Sequence, residues 1–353
     1  MAELLEYLQQ AVEDGASDLF LIAGGRVSEK VEGRICAISE EKVLPPETER
    51  LIMGIYEMAG RDMARYQTTG DDDFSFAVPG LARFRVNAYR QRGSLAAVVR
   101  VVSFSIPDWK SLRIPENVMD LADTPHGMVL ITGTAGSGKS TTQACIIDRI
   151  NHTREGHIIT LEDPIEYLHR DQKSIISQRE IAVDTEDYLS ALRACLRQAP
   201  DVILLGEMRD HETIRTAMTA AETGHLLIAT LHTRGAVNTV DRIIDAFPPE
   251  QQAQIRVQLS MVLRTVVFQQ LLPDTAGGLV PAYEIMHVNT AVRNMIRDNK
   301  THQIDNAIAA GGAEGMVAMD QSILALYQAG RIKREIALEF SDHPEQLLRR
   351  MEK

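Results

Sequence analysis

The chain has 353 residues, 44% of them hydrophobic and 24% charged, an ordinary composition for a globular protein of about two domains. With 37 basic and 49 acidic residues the net charge is −12, which argues against general nucleic-acid binding. Three widely separated cysteines, Cys36, Cys145 and Cys195, argue against a disulfide framework and a cysteine-based zinc site. The sequence shows neither a signal peptide nor a run of about 18 apolar residues, so we expect a cytoplasmic protein.

The N-terminal part of the sequence predicts a mixed α+β domain. Apolar residues at helical spacing indicate a helix over about 3–14, and residues 18–22 have the composition of a strand. A second helix is expected over about 47–65. Residues 74–102 alternate between polar and apolar side chains, as strands with one buried face do.

The character of the sequence changes after a segment that contains two prolines. We predict a linker at 107–118 between a first domain, 1–106, and a second domain, 119–353. Strand-length apolar runs alternate with helical sequence in the second domain, at 128–132, 157–161, 201–205 and 225–231. Such runs suit parallel strands that are covered on both faces, so the prediction is a doubly wound α/β domain. After about residue 250 we expect mostly helix, with an apolar stripe formed by Ile255, Leu259, Val262, Val266 and Val267.

A phosphate-binding loop is predicted directly after the first of these strands. The sequence from Gly133 to Ser140 matches G-x-x-x-x-G-K-[ST] in full, between a predicted strand and a predicted helix. Its glycines let backbone N–H groups turn inward, and the helix N-terminus adds positive dipole character. Lys139 is expected to contact the β- and γ-phosphates, and Ser140 to offer its hydroxyl to Mg²⁺. The predicted nucleotide-binding residues are Gly133, Thr134, Ala135, Gly136, Ser137, Gly138, Lys139, Ser140 and Thr141.

Two acidic segments at predicted strand ends are candidates for the chemistry of hydrolysis. The apolar run from Asp201 ends at Glu207, which is either a ligand of Mg²⁺ or a helix-capping or solvent-facing residue, although Asp210 is better placed to cap the next helix. Residues 162–166 hold three carboxylates, whose crowding would raise the proton affinity of one of them and suit a general base. The alternative is an acidic loop before a turn at Pro164.

Basic residues supply further candidates. His232 follows a buried strand and is placed to donate a hydrogen bond to a γ-phosphate, although a lone histidine is more often structural. Five arginines lie between positions 83 and 100 with no acidic residue among them: Arg83, Arg85, Arg90, Arg92 and Arg100. They form either a solvated strand face or a group that meets the triphosphate of an adjacent subunit.

These segments together resemble the secretion and pilus ATPase family, and within it the PilT/PilU retraction ATPases of type IV pili. The resemblance extends over nearly the whole chain. Residues 162–166 resemble the family's Asp box, and 206–210 resemble its Walker B element. The segment from Gly224 to Thr233 resembles its His box, and residues 83–93 resemble its arginine-bearing strands.

The resemblance implies a PAS-like N-terminal domain and a RecA-like P-loop ATPase domain with a helical C-terminal region. It further implies a homo-hexameric ring that holds ATP between the two domains. Glu166 would be the general base, Glu207 would help to hold Mg²⁺, and His232 would sense the γ-phosphate. Arg85 and Arg100 are the arginines whose placement resembles that of the family's arginine fingers.

Retraction is favoured over assembly on two features. Assembly and type II secretion ATPases usually carry a four-cysteine zinc module after Walker B, and no cysteine follows Cys195 here. The segment from Ala291 to Arg297 resembles the AIRNLIR motif of retraction ATPases, with Val292 and Met295 as conservative differences. The expected partners are an inner-membrane pilus platform protein, which would bring the chain to the membrane peripherally, and a paralogous pilus ATPase. An accessory, weakly hydrolysing paralogue and an assembly or secretion ATPase remain the alternatives.

Overall fold

A computed structural model describes residues 2–31, 33–102 and 106–352, and it divides the chain into two compact units. The first unit holds the described residues up to 102 together with Glu166–Leu168. The second holds the remainder from Ile106 onward. Within the segment predicted as a linker, 107–118, Ile114 and Val118 are buried in the core of the second unit.

The first unit combines an antiparallel sheet with helices. Its elements are α1 (Ala2–Glu13), β1 (Asp18–Ile22), β2 (Arg26–Val31), β3 (Arg34–Lys42), α2 (Pro45–Ala59), α3 (Ala64–Thr69), β4 (Asp71–Val78), β5 (Ala82–Gln91) and β6 (Ser94–Val102). The strand order is β3-β2-β1-β6-β5-β4. Leu4 of α1 and Ile52 of α2 are fully buried in one apolar cluster with Phe84 and Val99 of the sheet. The predicted α+β character and the predicted strand at 18–22 are confirmed.

The helix predicted over about 47–65 is interrupted between the end of α2 at Ala59 and the start of α3 at Ala64. The backbone amides of Gly60 and Arg61 bond back to the carbonyls of Glu57 and Tyr56, which terminates α2. The guanidinium of Arg61 then pairs with the buried carboxylate of Asp72 at 2.9 Å. Gly60 adopts a left-handed conformation with a φ of 59°, which ends α2 before α3 begins.

The second unit is an α/β structure. Its strands are β7 (Gly127–Thr132), β8 (His157–Glu162), β9 (Ile175–Glu180), β10 (Val202–Leu205), β11 (Leu226–Leu231), β12 (Leu263–Pro273) and β13 (Leu279–His287). Its helices are α4 (Glu116–Met119), α5 (Lys139–Thr153), α6 (Tyr188–Cys195), α7 (His211–Glu222), α8 (Ala236–Asp245), α9 (Pro249–Val262), α10 (Thr290–Arg297), α11 (Ile304–Ala310), α12 (Met319–Gln328), α13 (Arg334–Phe340) and α14 (Pro344–Met351). No helix in the described ranges has the length and hydropathy needed to cross a membrane.

The sheet of the second unit places the predicted motifs at one edge. Its strand order is β13-β12-β7-β11-β10-β8-β9, and each neighbouring pair is parallel except β12 with β13. Strands β7, β10 and β11 are buried along their whole length, as the continuous apolar runs predicted. Parallel strands end at the same edge, so the segments that follow β7, β8, β10 and β11 meet there. The predicted doubly wound, RecA-like fold is confirmed.

The expectation of mostly helix after about residue 250 is confirmed by α9 to α14, but the apolar stripe predicted there does not continue as helix to Val266 and Val267. Helix α9 ends at Val262, and Val266 and Val267 lie on β12, which pairs with β7 in the middle of the sheet. A short apolar run fits a helix face and a buried strand equally well when only its periodicity is considered. Pairing with β7 decides the matter, because it satisfies the backbone of a β-branched segment in the core.

Candidate functional site

The phosphate loop is packed so tightly against β12 that its first glycine cannot carry a side chain. Gly133 has a φ of 146°, and a Cβ atom on it would lie 2.4 Å from the carbonyl oxygen of Gln269 and 2.5 Å from Oγ of Ser137. Thr134, Ala135 and Gly136 are exposed at the rim of the loop. The side of the loop that faces β12 is therefore fixed by close packing, and the opposite side is open to solvent, as an anion-binding loop requires.

Lys139 is turned toward this cradle. The residue is only 8% exposed, and its Nζ donates to the carbonyl oxygens of Gly133 and Thr134, each at 2.9 Å. Its ammonium group therefore spans the loop and brings positive charge to it. Burial of this kind restricts the side chain to few rotamers, so that little entropy remains to be lost on ligand binding.

The N-terminus of α5 fits phosphate oxygens. Its N-cap residue, Gly138, offers no side-chain acceptor to the first amides of the helix. Ser140 and Thr141 lie half-buried in this first turn. The Oγ atom of Ser137 is buried and lacks a hydrogen-bond partner among the described residues. Unsatisfied donors at a helix N-terminus, beside a lysine ammonium, favour a bound phosphate chain.

Sequence reasoning missed Gln269 of β12, which is 3% exposed and lies directly behind the loop. Its Oε1 accepts a hydrogen bond from Oγ1 of Thr142 in α5 at 2.7 Å. A Cβ atom on Gly138 would lie only 2.8 Å from Nε2 of Gln269, so the amide packs directly against the loop. This amide therefore links β12, the loop and α5. The only signal in the sequence is a pair of glutamines inside the otherwise apolar run 266–272.

Replacing Gln269 with leucine is expected to lower stability and weaken nucleotide binding. The Thr142 hydroxyl would remain buried without an acceptor, which costs about 1–3 kcal/mol. Thermal unfolding and ADP titration test the variant against Gln270→Leu, a matched change at the next residue, which is half-buried. A Gln269→Leu protein with wild-type melting temperature and affinity would contradict this role. The double variant with Thr142→Val should recover part of the stability, since the hydroxyl that lost its acceptor is then removed as well.

A cavity of about 310 Å³ opens beside the first turn of α5. Gly138, Thr141 and Thr142 line it on the side of the loop, and Leu271, Tyr283 and Arg331 are among the residues of its other walls. Its lining combines apolar, aromatic and charged groups, which is typical of small-molecule sites.

Glu207 lies just beyond β10 and interacts with two basic residues. Arg209 donates to both of its carboxylate oxygens, with Nη2 3.0 Å from Oε2, and Nε2 of His232 lies 3.6 Å from Oε2. Hydrogen bonds from Arg209 lower the pKa of Glu207, and His232 adds to this, while burial opposes it. The carboxylate is therefore ionised at neutral pH, which suits a metal ligand. The sequence analysis placed Glu207 and His232 in separate motifs, and it assigned no role to Arg209.

The acidic residues at the end of β8 have different surroundings. Glu162 is fixed by hydrogen bonds, whereas Asp163 and Glu166 are exposed. Oε1 of Glu162 accepts hydrogen bonds from Oγ1 of Thr160 at 2.6 Å and from Nε2 of Gln178 at 3.1 Å. Ile165 is buried, and its amide donates to Glu180 at 3.2 Å. Glu166 follows directly and is exposed. Among the described residues Glu166 has no hydrogen-bond or ion-pair partner, so its carboxylate is available for proton transfer.

The residues suited to Mg²⁺ are few, as is usual for a metal that accompanies a nucleotide. No group of three or more His, Cys, Asp or Glu side chains is arranged for a metal ion in the part of the chain that the structure describes. Mg²⁺ is commonly held by one or two protein ligands together with substrate phosphates and water. The hydroxyl of Ser140 and the carboxylate of Glu207 match that donor set.

The arginines of the first unit differ in their surroundings. Arg85 of β5 and Arg100 of β6 are directly opposite each other in the sheet. Nε of Arg100 pairs with Oδ1 of Asp18 at 2.9 Å, whereas Arg85 is half-buried and has no ionic or hydrogen-bond partner within the described ranges. Arg90 lies over the ring of Tyr66. Arg85 is therefore the better candidate for meeting a phosphate.

Asp210 caps a helix as predicted, and the segment that resembles the AIRNLIR motif is helical. Asp210 accepts hydrogen bonds from the amides of Glu212 and Thr213 at 2.9 and 2.8 Å, which confirms it as the N-cap of α7. The segment from Ala291 to Arg297 lies within α10, where Val292 and Ile296 are fully buried.

Comparison with known proteins identifies relatives over nearly the full length. The family model described as "Type II/IV secretion system protein" matches residues 2–336. The type IV pilus retraction ATPase PilT of Pseudomonas aeruginosa is 44% identical over 345 residues, which cover 97% of this chain and 99% of that protein. The type IV pilus ATPase PilU of the same organism is 38% identical over 96% of this chain and 89% of its own length. A crystal structure of the pilus retraction motor PilT with bound ADP superposes with a TM-score of 0.90, at 44% identity and 98% coverage of both chains.

Proposed function

Because the chain belongs to the type II/IV secretion system protein family and is an ATPase, we propose that it powers the retraction of type IV pili. The observation that carries this proposal is the 44% identity to the retraction ATPase PilT across almost the whole of both chains. Pilus retraction driven in this way would appear in the cell as twitching motility. The chain would act as a homo-hexamer, in which nucleotide binding and release move one domain against the other.

The phosphate loop and the first turn of α5 would hold the triphosphate. The loop amides and Lys139 would contact the β- and γ-phosphates, and the hydroxyl of Ser140 would join Glu207 in holding Mg²⁺. The cavity beside Thr141 and Thr142 would take the nucleoside, since it opens at the point where the loop ends. Bound in this way, Mg²⁺ would neutralise developing charge on the phosphates.

Two acidic residues would have separate roles in hydrolysis. Glu166 is the proposed general base, because it is exposed and has no partner among the described residues that would compete for its carboxylate. Glu207 would stay ionised as a metal ligand, since Arg209 and His232 stabilise its charge. His232 would sense the γ-phosphate through its imidazole, which is about half exposed.

Arginines of the first unit would make hydrolysis depend on a neighbouring subunit. Arg85 is the first choice for a residue that reaches the triphosphate in trans, and Arg100 would have to leave Asp18 to do the same. An arginine supplied in this way stabilises charge in the transition state. The work would be done on a platform protein of the inner membrane, with the chain itself held on the cytoplasmic side.

The principal alternative is an accessory paralogue that contributes contacts to another pilus ATPase. It is favoured by the 38% identity to PilU over 96% of the chain. The two roles differ in whether loss of this chain alone stops retraction.

Deletion of the gene in its native host should leave cells with more surface pili than wild type and without twitching motility. Assembly would continue while disassembly stops, and both effects are measured by counting pili in electron micrographs and by a motility assay. Plasmid-borne wild-type protein should reverse both effects. Cells without pili would identify an assembly or secretion ATPase, and cells that still retract would identify the accessory role.

A further inference from the structure

An acidic side chain lies in the core of the second unit, away from the residues proposed for hydrolysis. Glu284 of β13 is only 7% exposed. Burying a carboxylate is costly unless it is paired or receives hydrogen bonds, so its partners indicate what it is for. Its Oε1 accepts a hydrogen bond from the amide of Ala236 at 2.7 Å, and Ala236 is the first residue of α8.

Glu284 lies beside two helix N-termini that lack a side-chain cap, and it caps one of them directly. The N-cap residues are Gly235 for α8 and Ala318 for α12, and neither has a side chain that can accept a hydrogen bond. Burial raises the pKa of Glu284 to about 7, while hydrogen bonds from the backbone of Ala236 and Met319 act in the opposite direction. Met319 is the first residue of α12. The carboxylate therefore satisfies the first amide of α8 by a direct hydrogen bond, and it lies close enough to the N-terminus of α12 for its charge to interact with both helix dipoles.

The two helices adjoin different parts of the second unit. Helix α8 begins four positions after His232, whose imidazole lies 3.6 Å from the Glu207 carboxylate. Helix α12 begins the C-terminal helices, whose apolar residues, among them Ile323 and Leu347, form one cluster with Leu272 of β12. The end of the His232 segment and the start of the C-terminal helices thus share a single anchor.

We propose that Glu284 is a positioning residue, which fixes the segment carrying His232 by capping α8 and couples that segment to the C-terminal helices through α12. This inference rests on the role proposed for His232. Glu284 touches neither the phosphate loop nor α5 through any hydrogen bond in the described residues. Its loss should therefore affect turnover far more than nucleotide binding, because a small displacement of a positioned group slows chemistry without removing the binding contacts.

The test compares Glu284→Leu, Glu284→Gln and the full-length wild type. Glu284→Leu should lower kcat by about 10- to 100-fold, with KM for ATP and Kd for ADP within about twofold of wild type. Glu284→Gln should recover part of the rate, since its amide oxygen can cap one of the two helices. Hydrogen exchange of the amides in 232–240 should accelerate in both variants, most in the leucine variant.

A matched control separates positioning from a general loss of stability. Asn289 caps α10 with a hydrogen bond from Val292 at 3.0 Å, so Asn289→Ala removes a helix cap elsewhere in the same unit. It should lower the melting temperature and leave kcat unchanged. Unaltered kcat in a folded Glu284→Leu protein, or an equal loss of kcat in Asn289→Ala, would overturn the proposal. Absence of ATP turnover in the wild type would instead refute the proposed function. In that case, unchanged hydrogen exchange of the amides in 232–240 in Glu284→Leu would still refute the role of Glu284 in fixing this segment.

Discussion

Replacing Lys139 with alanine is expected to reduce kcat/KM for ATP by at least about 10²- to 10³-fold, the usual loss when one charge-stabilising donor is removed. The ammonium lies across the phosphate loop through bonds to the carbonyls of Gly133 and Thr134. The variant loses the cation that would meet the β- and γ-phosphates, and it leaves both carbonyls without this donor. Steady-state phosphate release and ADP titration measure the two consequences.

The control for this experiment is Lys173→Ala, which removes an exposed lysine of the same unit. Its turnover should equal that of wild type. Thermal unfolding of both variants shows whether a loss of activity reflects misfolding. If Lys139→Ala retained turnover within threefold of wild type, phosphate binding by this loop would be refuted. That outcome requires a wild type that releases phosphate above background; a wild type without such turnover would instead support the accessory, non-hydrolysing role.

Replacing Glu166 with glutamine is expected to lower kcat by about 10²- to 10⁴-fold, the range associated with loss of a general base. Glutamine has nearly the same size and polarity but accepts no proton. Because Glu166 is exposed and lacks a partner among the described residues, its change should leave the fold and the affinity for ADP unaltered. Single-turnover measurement at saturating ATP isolates this step from nucleotide binding.

Two further variants make the assignment specific. Asp163→Asn changes another exposed carboxylate of the same segment, and Glu155→Gln changes an exposed glutamate before β8. Both should turn over ATP at nearly the wild-type rate. A large loss in Asp163→Asn together with an active Glu166→Gln would transfer the role of general base to Asp163.

The sequence alone was sufficient for features that depend on local chain geometry. The phosphate loop needs glycines, a lysine and a hydroxyl at set spacing, so its eight residues can be recognised without a fold. The cap formed by Asp210 and the buried strands β7, β10 and β11 were equally predictable. Each depends on neighbours within a few positions or on continuous apolar character.

Tertiary structure decided the features that depend on partners distant in the chain. Strand β12 was mistaken for helix because its identity comes from pairing with β7, more than 100 positions earlier. The hydrogen bonds of Gln269 with Thr142 and of Glu284 with the N-terminus of α8 leave no periodic pattern in the sequence, since each depends on a single polar residue. Burial forces such groups to find hydrogen-bond partners, and only the folded chain determines which partners are within reach.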